Sequence, residues 1–439
     1  MEMKKYKLIA ATDYCERVFD GTHATPKQTE VGFKLLTSKN ILNGNLDKTD
    51  AYFISEEDYN SINKRSQVKQ YDILFSMIGS VGNVCMIKDS TVDFAIKNMG
   101  VFSCNEKNKA LFLYYYLQSP FAKKTIESYL NGAVQKFLGL ERLRSFPVPE
   151  YSNDKQKIAA VLSALDDKIA LNRRLNAKLE QMAKRLYDHW FVQFDFPRSV
   201  SAEPCSHELC RTDDGKTRSD FPNENGKPYK ASGGKMVWNE TLRREIPEGW
   251  EVKKLGDVCK IVLGGTPSTA NNEFWENGTI NWLNSGEVGI FPIVESEKKI
   301  TEIAVEKSTT EFLKAGSVTL SITRYLRPSI LAIDACINQS VVGIKENVLF
   351  KNCFLYPYLQ NEIDRLMSLR TGAQQPHINK EIVEDSFMIV PPKELMSVYD
   401  KRVCPVYAQI INIAKEIQKL IVLRDRLLQL LMNGQVEVR

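Results

Sequence analysis

Catalytic constellations are what this sequence lacks first. Its four histidines are scattered over 439 residues, and no paired-carboxylate nuclease pattern stands out. It has no Asp/Asn-Pro-Pro-Tyr/Phe motif of amino-methylation and no glycine-rich adenosylmethionine loop behind an early strand. Gly215-Lys-Thr is missing the upstream glycine of a phosphate-binding loop. These absences argue against a self-sufficient nuclease, methyltransferase or nucleotide hydrolase, and the chain reads as a non-enzyme. His23 and His377 stand in polar, glycine-neighboured turns that suit recognition better than catalysis. No apolar run approaches the ~20 residues of a bilayer span. The lysine-bearing start, Met1 to Ala11, holds too short an apolar run for a signal peptide. The nine cysteines form no regular framework and no Cys-x-x-Cys, which fits a reducing cytoplasm. Cys205-Ser-His207-Glu-Leu-Cys210 has metal-like chemistry but no fourth ligand at a sensible spacing, so no metal is expected there.

What is present is an ordinary globular composition with a formal charge of +5 and a pI near 8.5, which permits an anionic partner without demanding one. The chain is long enough for two or three domains with real cores. Its organising stretch is Asp154 to Val192, uninterrupted by glycine or proline and dominated by helix formers. Written in heptads, one seam carries Ile158, Leu165, Asn172, Leu179 and Leu186. A second carries Val161, Lys168, Leu175, Met182 and His189, with Leu162, Ile169, Ala183 and Trp190 as a flank. A helix of that length needs a partner, and Val403 to Leu431 supplies one. Its seams are Val403, Ile410, Ile417, Arg424, Leu431 and Val406, Ile413, Leu420, Leu427, flanked by Tyr407, Ala414, Ile421 and Leu428; Pro405 suits a first turn.

Between these helices strand signals alternate with turns. In the first lobe they are Tyr6–Ile9, Phe33–Leu36, Ala51–Ile54 and Tyr71–Ile78, the last returning through Gly79-Ser-Val-Gly82-Asn83 into Val84–Ile87. A helix over Leu111–Leu130 breaks near Pro120, and its Tyr114-Tyr-Tyr116 run reads as core packing rather than a stacking platform. In the second lobe the strand signals are Val258–Val262, Ile280–Leu283, Ser317–Ile322 and Ile330–Ile333. A helix follows over Cys353–Leu369, and a polar stretch to about Lys235 separates the lobes. The halves repeat: Gly132-Ala-Val-Gln135 returns as Gly372-Ala-Gln-Gln375, and Asn98 of Ile96-Lys-Asn98 as Asn338 of Cys336-Ile-Asn338, both at a spacing of 240 residues. Asp72–Ser76 is similar to Ser317–Ser321, and Gly264-Gly-Thr-Pro-Ser268 takes the place of the Asp20–His23 turn. The expected class is α+β: two strand-rich domains separated by a pair of long antiparallel coiled-coil helices, related by a pseudo-twofold internal repeat. Such symmetry matches the local twofold of duplex DNA, one lobe to each half-site.

These stretches resemble a known family, the specificity (S) subunit of type I restriction–modification systems. The residues that carry the resemblance are Lys157-Ile-Ala through Asp166-Asp-Lys-Ile-Ala-Leu-Asn-Arg-Arg174, Phe194-Asp-Phe-Pro197, Gly226-Lys-Pro-Tyr through Met236, and Ile246-Pro-Glu-Gly-Trp250. To these belong Gly264–Ser268 with Phe274-Trp and Ile280-Asn-Trp282, and Gly372-Ala-Gln-Gln-Pro-His-Ile-Asn379. The resemblance covers essentially the whole chain. It implies target-recognition domains over 1–151 and 245–392, helical regions over 152–195 and 393–439, and a polar linker over 196–244. It further implies a split, asymmetric double-stranded DNA site whose spacer the helices measure, two methylation subunits docked on those helices, and restriction subunits joining that core. Adenosylmethionine and ATP would then belong to the partners and not to this chain.

Two other readings remain: a methylation-only complex, and a coiled-coil protein-interaction scaffold. The first lobe departs slightly, with Gly139-Leu-Glu where the second has Asn379-Lys-Glu, and Lys-Phe after Gln135 instead of Pro-His. Side chains able to meet phosphates or base edges, with Asn or Gln suited to adenine and Arg to guanine, are Thr22, His23, Ser80, Asn83, Asn98, Gln135 and Lys136 in the first lobe. In the second they are Thr266, Ser268, Arg324, Asn338, Gln339, Gln374, Gln375 and His377.

Overall fold

The computed structural model describes residues 7–42, 44–130, 136–198, 227–372 and 376–438. It is an α+β chain of two compact units, Met1–Ala170 with Lys419–Arg439, and Leu171–Gln418. The Cys205–Cys210 cluster and Gly215 lie outside the described residues. None of the described helices is long and apolar enough to cross a membrane.

Each unit holds a four-stranded antiparallel sheet built to one plan. In the first the spatial order is Arg17–Asp20, Met99–Ser103, Ile73–Ser76, Val84–Met86; in the second it is Lys260–Leu263, Val341–Lys345, Val318–Ser321, Pro328–Ile330. A second sheet repeats as well. Phe33–Thr37 pairs parallel with Phe94–Lys97 and antiparallel with Tyr52–Ile54. Ile280–Leu283 pairs parallel with Ala335–Ile337 and antiparallel with Lys298–Ile300, and Glu311–Leu313 adds a fourth strand there. The similarity of Asp72–Ser76 to Ser317–Ser321 therefore marks equivalent strands, and Val84–Met86 is the hairpin return of Ile73–Ser76. Tyr115 and Tyr116 are buried core residues. Ser119 breaks the helix beside them: its side chain accepts from Ala122 N, and Pro120 opens the next helix.

The long helices are Asn153–Tyr187, whose last turn widens into a π-turn over Asp188–Val192, and Lys393–Met432. In the first unit Ile158, Ala159 and Leu162 share a core with Leu431 and Met432, and Arg424 Nη1 donates to Asp166 Oδ1 at 2.8 Å. In the second, Asn176 Nδ2 donates to Ile410 O at 3.1 Å, and Trp190 lies 5.6 Å from Tyr399. Within each unit the partner's number falls as the first helix's number rises, so the segments pack antiparallel.

Three sequence expectations need correction. The inner seam of the first helix combines Ile158 and Asn172 with the expected flank, Leu162, Ile169, Ala183 and Trp190, all buried. Beyond the half-buried Val161, the expected second seam faces outward: Leu175 and Met182 are 39% and 53% exposed, and Lys168 and His189 are exposed too. The two sets differ by one position, and burial follows the one free of groups that are costly to desolvate. The C-terminal helix differs: it buries Tyr407 and Ala414 of the flank but also Ile413 of the expected second seam, whose Val406, Leu420 and Leu427 are half-buried, so both sets face inward there. That helix also begins at Lys393, so Pro405 stands in its interior instead of its first turn, on an exposed face. Finally, the second part of the expected linker is folded. Met236–Asn239 pairs with Arg244–Pro247, Phe196 stacks on Tyr229 and Trp250 at 4.6 and 5.0 Å, and all three rings are buried.

Two polar residues sit in the helix seams. Burial opposes the charge of Arg424, but hydrogen bonds to Asp166 and Asp425 outweigh it and hold the guanidinium above its ordinary value. Tyr115 donates to the other Asp166 oxygen at 2.7 Å. Asn172 is 3% exposed, and its Nδ2 finds no partner among the described residues. A buried donor left unpaired costs about 1–3 kcal/mol. Asn172→Leu is therefore expected to raise stability by about 1–2 kcal/mol, read as a higher urea midpoint at unchanged slope.

Candidate nucleic-acid interface

Strand register gathers the nominated residues at one end of each four-stranded sheet. In the first unit Asp20 is opposite Gly100 and Ser76 opposite Met99. The turn from Gly21, the Asn98 corner and the Gly79–Asn83 tip therefore all leave from the same sheet end. In the second unit Leu263 is opposite Val342 and Ser321 opposite Val341, which places Gly264–Ser268, Asn338–Ser340 and Ile322–Arg327 at the equivalent end.

The crossing at that end requires glycine. Gly21 N donates to Met99 O and Thr22 N to Ile96 O, at 2.9 and 3.0 Å. A Cβ on Gly21 would stand 2.5 Å from Ile96 O. Gly264 N and Gly265 N repeat the pattern with Val341 O and Ile337 O, and a Cβ on Gly264 would be 2.2 Å from Ile337 O. This close approach projects the next residues outward. His23 Nδ1 lies 2.8 Å from Asn98 Oδ1, and its Nε2 lies 2.9 Å from Asp20 Oδ2. Arg65 Nη2 reaches Asp20 Oδ1 at 3.4 Å. Asn98 adopts φ +52°, a left-handed geometry asparagine tolerates. A cleft of about 430 Å³ opens beside them, lined by Thr22, His23, Thr25, Asp58, Ser61 and Arg65. In the second unit the place of the His23–Asn98 pair is taken by Thr266, which donates to Gln339 Oε1; both are exposed.

The hairpin tips are backed by a second loop. Ile78 bridges Phe137 in the first unit and Thr323 bridges His377 in the second. Leu138 N donates to Met77 O just as Ile378 N donates to Ile322 O. The loops after Gln135 and Gln375 are thus equivalent, with Phe137 where the second unit has His377. Gly139 and Asn379 are likewise equivalent, each the residue before a five-residue helix, although only Asn379 caps it with its side chain, accepting from Ile382 N. Lys136, Phe137, Arg324 and His377 are exposed. Gln135, Gln374 and Gln375 lie outside the described residues.

Not every nominated side chain is available. Asn338 is 9% exposed and its Oδ1 accepts from Ser340 N at 3.0 Å, so it builds the corner. Ser80 and Asn83 are exposed: Ser80 accepts from Ser76 Oγ only through its backbone carbonyl, and Asn83 Nδ2 makes one long contact to Ile41 O at 3.5 Å. Ser268 O accepts from Trp275 Nε1 at 3.0 Å and leaves its own side chain exposed. Sequence reasoning overlooked Tyr325, 65% exposed at the second hairpin tip, with the Arg327 guanidinium 5.4 Å from its ring. It also overlooked Arg370, which donates to Arg324 O at 2.8 Å. The basic–aromatic alternation of Arg324-Tyr-Leu-Arg327 between two strands was the available signal.

A family model for the type I restriction modification DNA specificity domain matches the chain twice, over residues 19–181 and 247–420. The chain belongs to this family. Each match takes in one lobe and most of the long helix that follows it, which is the unit of the structural repeat. Among specificity-family relatives, the chain is similar to the type I restriction enzyme MjaIX specificity subunit of Methanocaldococcus jannaschii, 27% identical over 83% of this chain and 78% of that protein. It is also similar to the HindI specificity subunit of Haemophilus influenzae, 25% identical over 85% and 88% respectively. In fold, it resembles the crystal structure of a type I restriction–modification S subunit from M. genitalium, with a TM-score of 0.54 at 14% identity, covering 98% of this chain and 96% of that one.

Proposed function

We propose that this specificity-family chain reads a split, asymmetric double-stranded DNA site, one half with the sheet end of each lobe. The observation that carries the reading is one backbone plan bearing different side chains at equivalent places. His23 and Asn98 answer to Thr266 and Gln339, the Gly79–Gly82 tip to Arg324–Arg327, and Phe137 to His377. A repeated scaffold with unequal donors and acceptors presents unequal patterns to base edges, so the two half-sites differ. Lys136, Arg324, Arg327 and Arg370 add charge suited to phosphates, which position the duplex without reading it.

On this proposal residues 1–151 and 245–392 are the target-recognition domains. The helical regions 152–195 and 393–439 carry two methylation subunits, which restriction subunits join. The chain itself is non-catalytic: adenosylmethionine and ATP are used by those partners.

The test is co-expression with the methylation subunit encoded beside this chain, followed by mapping of methylated adenines in the host genome. A split motif with a fixed gap, present only with this chain, is the expected result. His23→Ala is expected to lower methylation of its own half-site by about 10–100-fold, the equivalent of 1–3 kcal/mol, or to relax that half alone. Loss of selectivity in both halves at once would contradict one lobe per half-site. DNA cleavage by the assembled complex with ATP separates a restriction system from a methylation-only one.

A further inference from the structure

We propose that Cys353, Asp400 and Cys404 form a site for a thiophilic divalent cation of the zinc type, in the second unit. Cys353 is the second residue of the helix Asn352–Ser368, while Asp400 and Cys404 lie one turn apart on the C-terminal helix. Cys353 Sγ is 2.7 Å from Cys404 Sγ and 3.4 Å from Asp400 Oδ1. All three donor atoms lie within 4.8 Å of one another. Zinc bonds thiolate at about 2.3 Å and carboxylate at about 2.0–2.2 Å, so donors around a tetrahedral ion stand roughly 3.3–3.8 Å apart. The Cys353–Asp400 spacing already meets that. The two sulfurs must part by about 1 Å, and Cys404, half-buried where Cys353 is fully buried, has room to turn.

Charge fits as well. Two thiolates and a carboxylate carry three negative charges; the cation supplies two positive ones. The third is already in place, because Lys351 Nζ lies 3.3 Å from Asp400 Oδ2. The loaded site is neutral, as a mostly buried cluster must be. It leaves the fourth tetrahedral position to water on the open side of Cys404. The other close thiol pair, Cys15 and Cys104 at 3.5 Å, has no third ligand group within such reach among the described residues. A bound ion would tie a helix of the second lobe to the C-terminal helix, and binding would release the thiol protons.

The full chain is tested under a phosphine reductant, in a Cys205→Ser/His207→Ala/Cys210→Ser background that removes the other cysteine–histidine cluster. Titrated with cobalt(II), it is expected to take up one ion per chain, with a sulfur-to-cobalt charge-transfer band and tetrahedral ligand-field bands that zinc then bleaches. Zinc is expected to raise Tm by several degrees. Cys404→Ser in that background should at least halve the charge-transfer intensity, because only Cys353 remains as a sulfur ligand, and Asp400→Asn should weaken uptake. Circular dichroism melts confirm that each variant is folded, and if one is not, the other decides. Absence of the sulfur-to-cobalt band, its survival at full strength in folded Cys404→Ser, or a Cys353–Cys404 disulfide found by peptide mass mapping of protein purified without reductant would overturn the proposal.

Discussion

Phe191→Ala is expected to destabilise the second unit by about 3–5 kcal/mol, the usual cost of deleting a phenyl ring from a packed core. Phe191 is 2% exposed. Its ring lies 4.8 Å from Tyr399 and 5.0 Å from Phe354, both edge-on, and 6.3 Å from Trp250. The π-turn over Asp188–Val192 lets two successive residues, Trp190 and Phe191, both reach the core, which a regular helical turn does not favour. Alanine here leaves a cavity bounded by the rings of Tyr187, Trp190, Trp250, Phe354 and Tyr399, which cannot readily collapse, so the upper part of the range is expected. Met182→Ala is the control: two turns earlier and 53% exposed, it should change stability by no more than about 0.5 kcal/mol. Tryptophan fluorescence during urea unfolding reads both, because Trp190 and Trp250 belong to the same core. Equal losses in the two variants would mean that the inner seam has been misplaced.

That pair also shows what was legible in the sequence. Periodicity located both long helices and one correct seam, Ile158 to Leu186. The neighbouring seam came out one position wrong because Leu175 and Met182 look as apolar as Ile169 and Ala183. Lys168 and His189 marked the outward set, and weighing their desolvation would have chosen correctly. The sheet ends were legible because Gly21 and Gly264 answer a close backbone approach that no side chain survives; the Asn98–Asn338 match marks the same corner but out of register, since Ile96 O and Ile337 O accept the equivalent hydrogen bonds. The Met99–Ser103 and Val341–Lys345 strands, central in both sheets, were missed. Buried on both faces, they show no alternation to read. Which nominated side chains face outward was not legible either. Asn338 is a polar residue beside a glycine-rich turn, yet it is buried and spends its oxygen on Ser340 N, and sequence type alone does not separate a turn-builder from a reader.

Excising one heptad from each long helix, residues 169–175 and 413–419, is expected to shift the gap in the methylated motif by about 3 base pairs. Seven helical residues rise about 10 Å, and duplex DNA rises 3.4 Å per base pair. Paired excision matters because the helices pack antiparallel within each unit. Asp166 with Arg424 and Asn176 with Ile410 lie on either side of the cut and keep their partners. A whole heptad also preserves the phase of the inner seam to within about 20°. Neither sheet end is touched, so both half-sites should keep their sequence while the distance between them changes. The readout is the same adenine-methylation map made with the parent chain. An unchanged gap would remove the long helices from any role in measuring the spacer. A changed half-site would show instead that the lobes do not read independently of the helices that carry them.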